Sequence, residues 1–334
     1  MIRKFLRLAL GAMVVGAAAF AGALYYYARS PLPIRDAPAQ FSLAAGSSLK
    51  SAARQMAQAG FLVHPEAFIL LGRIFDRAGA IKAGSYEFQP GLTPWELLQK
   101  ITRGDFTLMA VTFTEGSTFK QWRSILDQHP KLKHQTIEWQ DARILEALAI
   151  DAKSPEGWFF PDTYHVSEGT SDLVILRRAH QLMHRHLAAH WEGRAPDLPL
   201  TTPYEALILA SIVEKETGRG EDRPLVAAVF VNRLRKGMLL QADPTVIYGL
   251  GEAFDGNLRR RDLTADTPYN TYTRSGLPPT PIAMPGLASL SVVLNPPDSD
   301  VLYFVSRGDG SSHFSRTLSE HDRAVTKYQR SGRR

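Results

Sequence analysis

YEALILASIVEKETGRGEDRPLVAAVFVNRLRKGMLLQADPTVIY, Tyr204 to Tyr248, sets out two consecutive helices and a polar loop. It opens with an apolar helical segment, Leu207 to Val213, and then delivers two carboxylates, Glu214 and Glu216. Leu209, Ile212, Val213 and Glu216 fall at i, i+3, i+4 and i+7, which is one stripe of a helix. Glu216 therefore continues the face expected to be buried, whereas Glu214 continues a weaker stripe of Leu207, Ala210 and Ser211. Thr217-Gly218 reads as the helix stop. Asp222 is the expected cap and Pro224 the opening of a second helix, Leu225 to Lys236, ended by Gly237. Two helices joined by so short a turn must pack together. The loop Leu240 to Asp243 is then expected to return over the end of the first, with Gln241 and Asp243 near Glu216.

Burial disfavours an ionised carboxylate, and the negative end of the helix dipole lies in the same turn, so the pKa of Glu216 is expected to rise. A carboxylic acid still protonated near neutral pH is the proton donor a glycosidic bond needs. The plain alternatives are a solvated helix end for Glu214-Lys215-Glu216 and turn chemistry for Asp243 before Pro244.

Working outward, the helix carries ASIVEKET (Ala210 to Thr217), followed by VFVNRL (Val229 to Leu234) and GMLLQADPTVIYGLG (Gly237 to Gly251). YNTYTRSGLPP (Tyr269 to Pro279) lies downstream and EGWFFPDTY (Glu156 to Tyr164) upstream. In these blocks and their order the chain resembles the membrane-bound endolytic murein transglycosylase, or YceG-like, family. The resemblance implies that Glu216 is the catalytic residue. It also implies cleavage of the MurNAc–GlcNAc bond of nascent peptidoglycan strands without water, leaving 1,6-anhydro-MurNAc ends, with termination of glycan polymerisation as a further role. Gln241, Asp243, Asn270 and Tyr272 would orient the sugar or stabilise charge at C1. Thr280 stands where the family pattern has Gly, which bears on the local backbone path.

Other chemistries stay open at this point. Ordinary glycosidases use two carboxylates that flank the bond. Glu214 and Glu216, two apart on a helix, point in nearly opposite directions and make a poor pair. Asp243 could serve as the second, which would make a murein hydrolase. A non-catalytic peptidoglycan-binding anchor is the other class. A pyridoxal-phosphate lyase finds no recognisable lysine context, and no cofactor is expected.

The chain has 334 residues, 44% of them hydrophobic, with a formal charge of +6 and no cysteine. Disulfides and thiolate metal sites are thereby excluded. Its Lys and Arg are scattered, which weighs against nucleic acid. Arg3, Lys4 and Arg7 precede an uncharged run, Leu8 to Tyr27, whose twenty residues span roughly 30 Å as a helix. The expected organisation is a cytoplasmic tail (1–7), a transmembrane anchor (8–27) and a linker (28–38). The body would then lie outside the cytoplasmic (inner) membrane, in the periplasm. Ala21-Gly22-Ala23 offers the alternative of a cleaved signal peptide.

Residues 39–106 read as a small α/β subdomain: a strand at Phe41 to Leu43, helices after Ser48, from Pro65 to about Arg77 and after Thr93, and a strand at Tyr86 to Phe88. The resemblance implies that it is LysM-like and glycan-binding; a spacer is the competing role. Residues 107–330 form the larger catalytic domain, and the fold class is α+β throughout. Trp158, Phe159, Phe160 and Tyr164 read more as core than as a sugar platform. His180, His184, His186 and His190 have i, i+4 spacing on a helix, Asp172 to Trp191, but lack a third ligand, so no metal is expected. Gly276 to Pro279 and Pro281 to Gly286 suit a groove wall, Val301 to Val305 and His313 to Ser315 a hairpin, and Thr317 to Arg330 a closing helix. Peptidoglycan glycan strands and the cytoplasmic membrane are the expected partners, with peptidoglycan synthases and division proteins as candidate neighbours.

Overall fold

The computed structural model describes residues 2–34, 39–44 and 46–330. Residues 35–38 of the expected linker and 331–334 of the basic tail lie outside these. The chain divides into two compact units, Met1–Ala110 with His165–Gly169, and Val111–Tyr164 with Thr170–Arg334.

The first unit begins with α1 (Ile2–Arg29), a single apolar helix longer than its uncharged run. Phe5–Arg29 is long and apolar enough to cross a membrane. Strand β1 (Ala39–Leu43) precedes α2 (Leu49–Gln58), whose N-cap Ser48 accepts from Ser51 N. Helix α3 (Pro65–Ile74) stops three residues short of the expected end, because Asp76 takes a left-handed backbone (φ 53°). Strand β2 (Gly84–Phe88) pairs antiparallel with β1, Phe41 opposite Tyr86. Helix α4 (Pro94–Arg103) starts from a capping box of Thr93 and Glu96. Tyr86, Phe68, Leu97, Leu98 and Ile101 are fully buried between these elements. Leu32 and Ile34, in the stretch expected as linker, are buried in the same core.

Strand β3 (Met109–Thr112) pairs with β4 (Thr163–Val166). Between them lie α5 (Phe119–Gln128) and α6 (Asp141–Ala147). The aromatic motif is core, as its composition suggested: Phe159, Phe160 and Tyr164 are buried. Gly157 has φ 83°, and a Cβ there would lie 2.5 Å from Pro281 Cγ, so both backbone and space require glycine. Helix α7 (Asp172–Glu192) packs its Leu173, Ile175, Leu176, Ala179, Met183 and Leu187 inward.

Helix α8 (Pro203–Glu216) is the centre of the second unit. It is buried on every side from Ala206 to Val213, against α7, α9 (Arg223–Arg235), α10 (Asp243–Leu250) and α12 (Leu287–Leu294). Each fully buried Leu, Ile or Val here contributes about 2 kcal/mol. A short α11 (Arg260–Thr264) lies between α10 and α12. Helix α12 occupies a segment with no expected helix, and Pro281 to Gly286 before it is buried rather than a groove wall. Strands β5 (Tyr303–Ser306) and β6 (Ser312–Ser315) form the expected antiparallel hairpin, closed by α13 (Leu318–Val325) and a π turn over Thr326–Arg330.

Candidate active site

Helix α8 ends at Glu216 because Thr217 leaves the helix with extended backbone and returns its hydroxyl to Val213 O at 2.7 Å. Gly218 is not in the left-handed conformation, so the stop belongs to threonine. Asp222 makes no capping bond either; its carboxylate accepts from Ser312 N, 2.6 Å away in β6.

The two glutamates at the end of α8 meet different surroundings. Glu214 is the more tightly held: Oε2 accepts from Gly286 N at 2.9 Å and Ser289 Oγ at 2.8 Å, and Oε1 lies 3.4 Å from Arg223 Nη2. Gly286 caps α12, so Glu214 ties the end of α8 to the start of that helix. The expectation that its stripe is the less buried one is therefore corrected: α8 is enclosed all round. Glu216 is half-buried and, among the described residues, receives no hydrogen bond. It opens into a cleft of about 480 Å³.

That cleft is lined by Glu216, Arg233, Leu240, Gln241, Asp243 and Tyr272, with Phe304, Val305 and Ser306 of β5 and His321 of α13. The loop after α9 thus returns over the end of α8, as its length required. Gln241 has a left-handed backbone (φ 53°), an unfavourable state for a side-chain-bearing residue and one found at functional sites. Thr271 holds it there: its carbonyl accepts from Gln241 N at 3.0 Å and its hydroxyl from Ala242 N at 3.0 Å. Asp243 opens α10, and its Oδ1 accepts from the Tyr272 hydroxyl at 2.5 Å.

Asn270 is fully buried and is not among the residues that line the cleft. Its amide donates to the carbonyls of Asp262, Leu263 and Ala265, and its Oδ1 accepts from Tyr272 N at 2.9 Å. It positions Tyr272. Thr280, the departure from the family pattern, is bonded to Tyr269 through its hydroxyl at 2.8 Å.

Arg233 was not foreseen. It is buried on α9, its Nε donating to Leu302 O at 2.8 Å and its Nη1 to Leu240 O at 2.7 Å. Its position seven residues after Val226 and four after Val229, both buried, was the available signal. Burial, then the negative charge of Asp243, push the Glu216 carboxyl up to about 8, while the Arg233 charge pulls the other way. Burial lowers the pKa of Arg233 in turn.

A second buried carboxyl, Glu156, is pushed up to about 7 by burial, against the hydrogen bonds it accepts from Phe119 N (2.9 Å) and the Tyr248 hydroxyl (3.1 Å). On α7, His180 Nδ1 lies 3.1 Å from Trp158 O and His190 Nδ1 2.9 Å from His186 O. Among the described residues no three His, Asp or Glu side chains gather as a metal site would require.

A half-buried carboxylic acid, protonated at neutral pH and flanked by a carboxylate, a phenol and a guanidinium, is equipped for proton transfer to and from a bound substrate. The profile of the YceG-like family matches residues 41–327, and the chain belongs to that family. It is 33% identical over 270 residues to the endolytic murein transglycosylase of Bacillus subtilis, covering 75% of this chain and 74% of that one. The endolytic murein transglycosylase of Streptococcus pneumoniae strain D39 is 27% identical over 317 residues; the match takes in 85% of this chain and 57% of the longer relative. A YceG-like protein from Listeria monocytogenes, known from a crystal structure, superposes with a TM-score of 0.55 at 30% identity, over 86% of this chain and 99% of that one.

Proposed function

We propose that the chain is an endolytic lytic transglycosylase of peptidoglycan in which Glu216 serves as both acid and base. The observation that carries this is that Glu216 opens into the cleft with no hydrogen-bond donor on it among the described residues, its carboxyl pushed up to about 8 by burial and by Asp243. Protonated, Glu216 delivers its proton to the leaving GlcNAc oxygen. As a carboxylate it then removes the proton from the 6-hydroxyl of the same MurNAc, which closes on C1. That hydroxyl is tethered, so proximity supplies what a second activated nucleophile would otherwise provide. Arg233 favours the carboxylate formed midway, and Asp243 offsets positive charge developing at C1. Gln241 and Tyr272 offer an amide and a phenol to sugar hydroxyls.

One observation favours a second reading. Asp243 shares the cleft and acts electrostatically on Glu216, as the paired carboxylates of a hydrolase do. Incubation of the protein with uncrosslinked glycan strands separates the two: 1,6-anhydro-MurNAc ends support the transglycosylase, and reducing MurNAc ends the hydrolase. No cleavage would leave a wall-binding anchor.

In this reading α1 is retained as an anchor in the cytoplasmic membrane, with the rest of the chain in the periplasm; a cleaved signal sequence is the alternative for the same helix. The first unit would be LysM-like and hold glycan near the membrane. Strands emerging from peptidoglycan synthases beside division proteins would then be cut internally, terminating their growth.

A further inference from the structure

Helix α3 starts beside Tyr27 of α1, whose hydroxyl donates to His64 O at 3.0 Å. It ends with Ile74 and Phe75 in a cavity shared with Phe20, Ala21, Leu24 and Tyr25. It therefore runs back along the C-terminal third of α1, toward Phe20. Phe20 precedes Tyr27 by two helical turns, about 10 Å. The tip of α3 thus lies level with the last apolar turns of α1, Phe20 to Tyr25, within the segment long and apolar enough to cross a membrane.

The cavity, about 610 Å³, is walled by apolar groups, Trp95 and Leu71 among them, with Arg29 at its outer end. Ile74 and Phe75 are 53% and 50% exposed, and the Phe75 ring lies 4.7 Å from that of Trp95. Single exposed apolar side chains are ordinary, but here they rim one apolar cavity against a helix that is itself exposed and apolar. Arg73 and Arg77 flank the tip and are exposed, as is Asp76. Long cationic side chains in that position can reach lipid phosphates while their stems stay in the apolar layer. Tryptophan and tyrosine at the same level match the aromatic belt of a membrane interface.

We infer that this cavity accepts a phospholipid acyl chain and that the tip of α3 sits in the membrane interface as a second membrane contact. The inference rests on α1 being a retained anchor. It adds that the first unit is held on the bilayer surface rather than tethered at a distance from it.

The test uses the full chain reconstituted in phosphatidylcholine vesicles whose acyl chains are brominated near the headgroup, which quenches tryptophan at that depth. The expected result is partial quenching that is mostly lost in Trp95→Phe and clearly reduced in Phe75→Ser. A phosphatidylcholine with a photoreactive acyl chain should also label the tryptic peptide Ile74 to Arg77, a readout that needs no substitution. Equal quenching of wild type and Trp95→Phe, with Ile74 to Arg77 unlabelled while the chain floats with the vesicles, would overturn the inference and leave the anchor intact. A chain that does not float with the vesicles would remove the anchor and the inference together.

Discussion

Tyr272 donates its hydroxyl to Asp243 Oδ1, and that pair lines the same cleft as Glu216 and Arg233. The acid is therefore set between opposed charges. Asp243 makes its ionisation harder and Arg233 makes it easier.

Activity that needs protonated Glu216 should fall as pH rises through about 8. Asp243→Asn removes the neighbouring negative charge, so this alkaline limb should move to lower pH, with slower turnover at neutral pH and an intact fold. Arg233→Gln should move the limb the other way. It should also destabilise the protein by about 2–4 kcal/mol, since buried carbonyls lose a charged donor. The rate of anhydro-end formation against pH measures both shifts, and a limb that stays fixed in Asp243→Asn would contradict the coupling.

Glu216 also sets a pH dependence of stability. Its folded-state pKa is raised from the ordinary 4.5 to about 8, so the folded state binds the proton more tightly than the unfolded chain does. The stability associated with that proton is complete below about 4.5 and is lost as pH climbs toward 8. Glu216→Gln has no charge to bury and should be more stable than wild type near pH 8. The gain should be on the order of 2 kcal/mol after solvent screening is allowed for. Thermal unfolding of both proteins across this window checks the sign; a variant that keeps the full slope would place the titration elsewhere, with Glu156 the first alternative.

Glu214→Gln should weaken the fold without stopping catalysis. One carboxylate oxygen, which accepts from Gly286 N and Ser289 Oγ, or its partner near Arg223, becomes an amide. A stability loss of about 1–3 kcal/mol is expected. Anhydro-end formation per folded molecule should remain within a few-fold of wild type. Loss of activity in a folded Glu214→Gln protein would mean that the wrong glutamate had been chosen.

The helices that carry this site were legible because their caps and apolar spacing are local signals. The apolar run Leu207 to Val213 and Pro224 mark α8 and α9 directly. The stripe that singled out Glu216 rested on a premise that α8 does not meet. A stripe argument presumes a helix with one wet face, and α8 has none over its central turns. What separates the two glutamates is the donor set of α12, a helix whose apolar composition resembles a buried strand as much as a helix end. The amide of Asn270 is taken up by carbonyls at the end of α11, and an exposed amide and one held in this way read identically in sequence. Arg233 was missed because its role depends on carbonyls of Leu302 and Leu240 that only tertiary packing brings to it.

The central assignment is tested by incubating wild type, Glu216→Gln and Glu214→Gln with uncrosslinked glycan strands and separating the products by mass. Glu216→Gln retains the side-chain volume but can neither give nor take the proton. It should fold, bind strands and yield no 1,6-anhydro-MurNAc ends, while Glu214→Gln still produces them. Anhydro ends formed by Glu216→Gln at the wild-type rate would contradict the assignment of Glu216 as the acid and base.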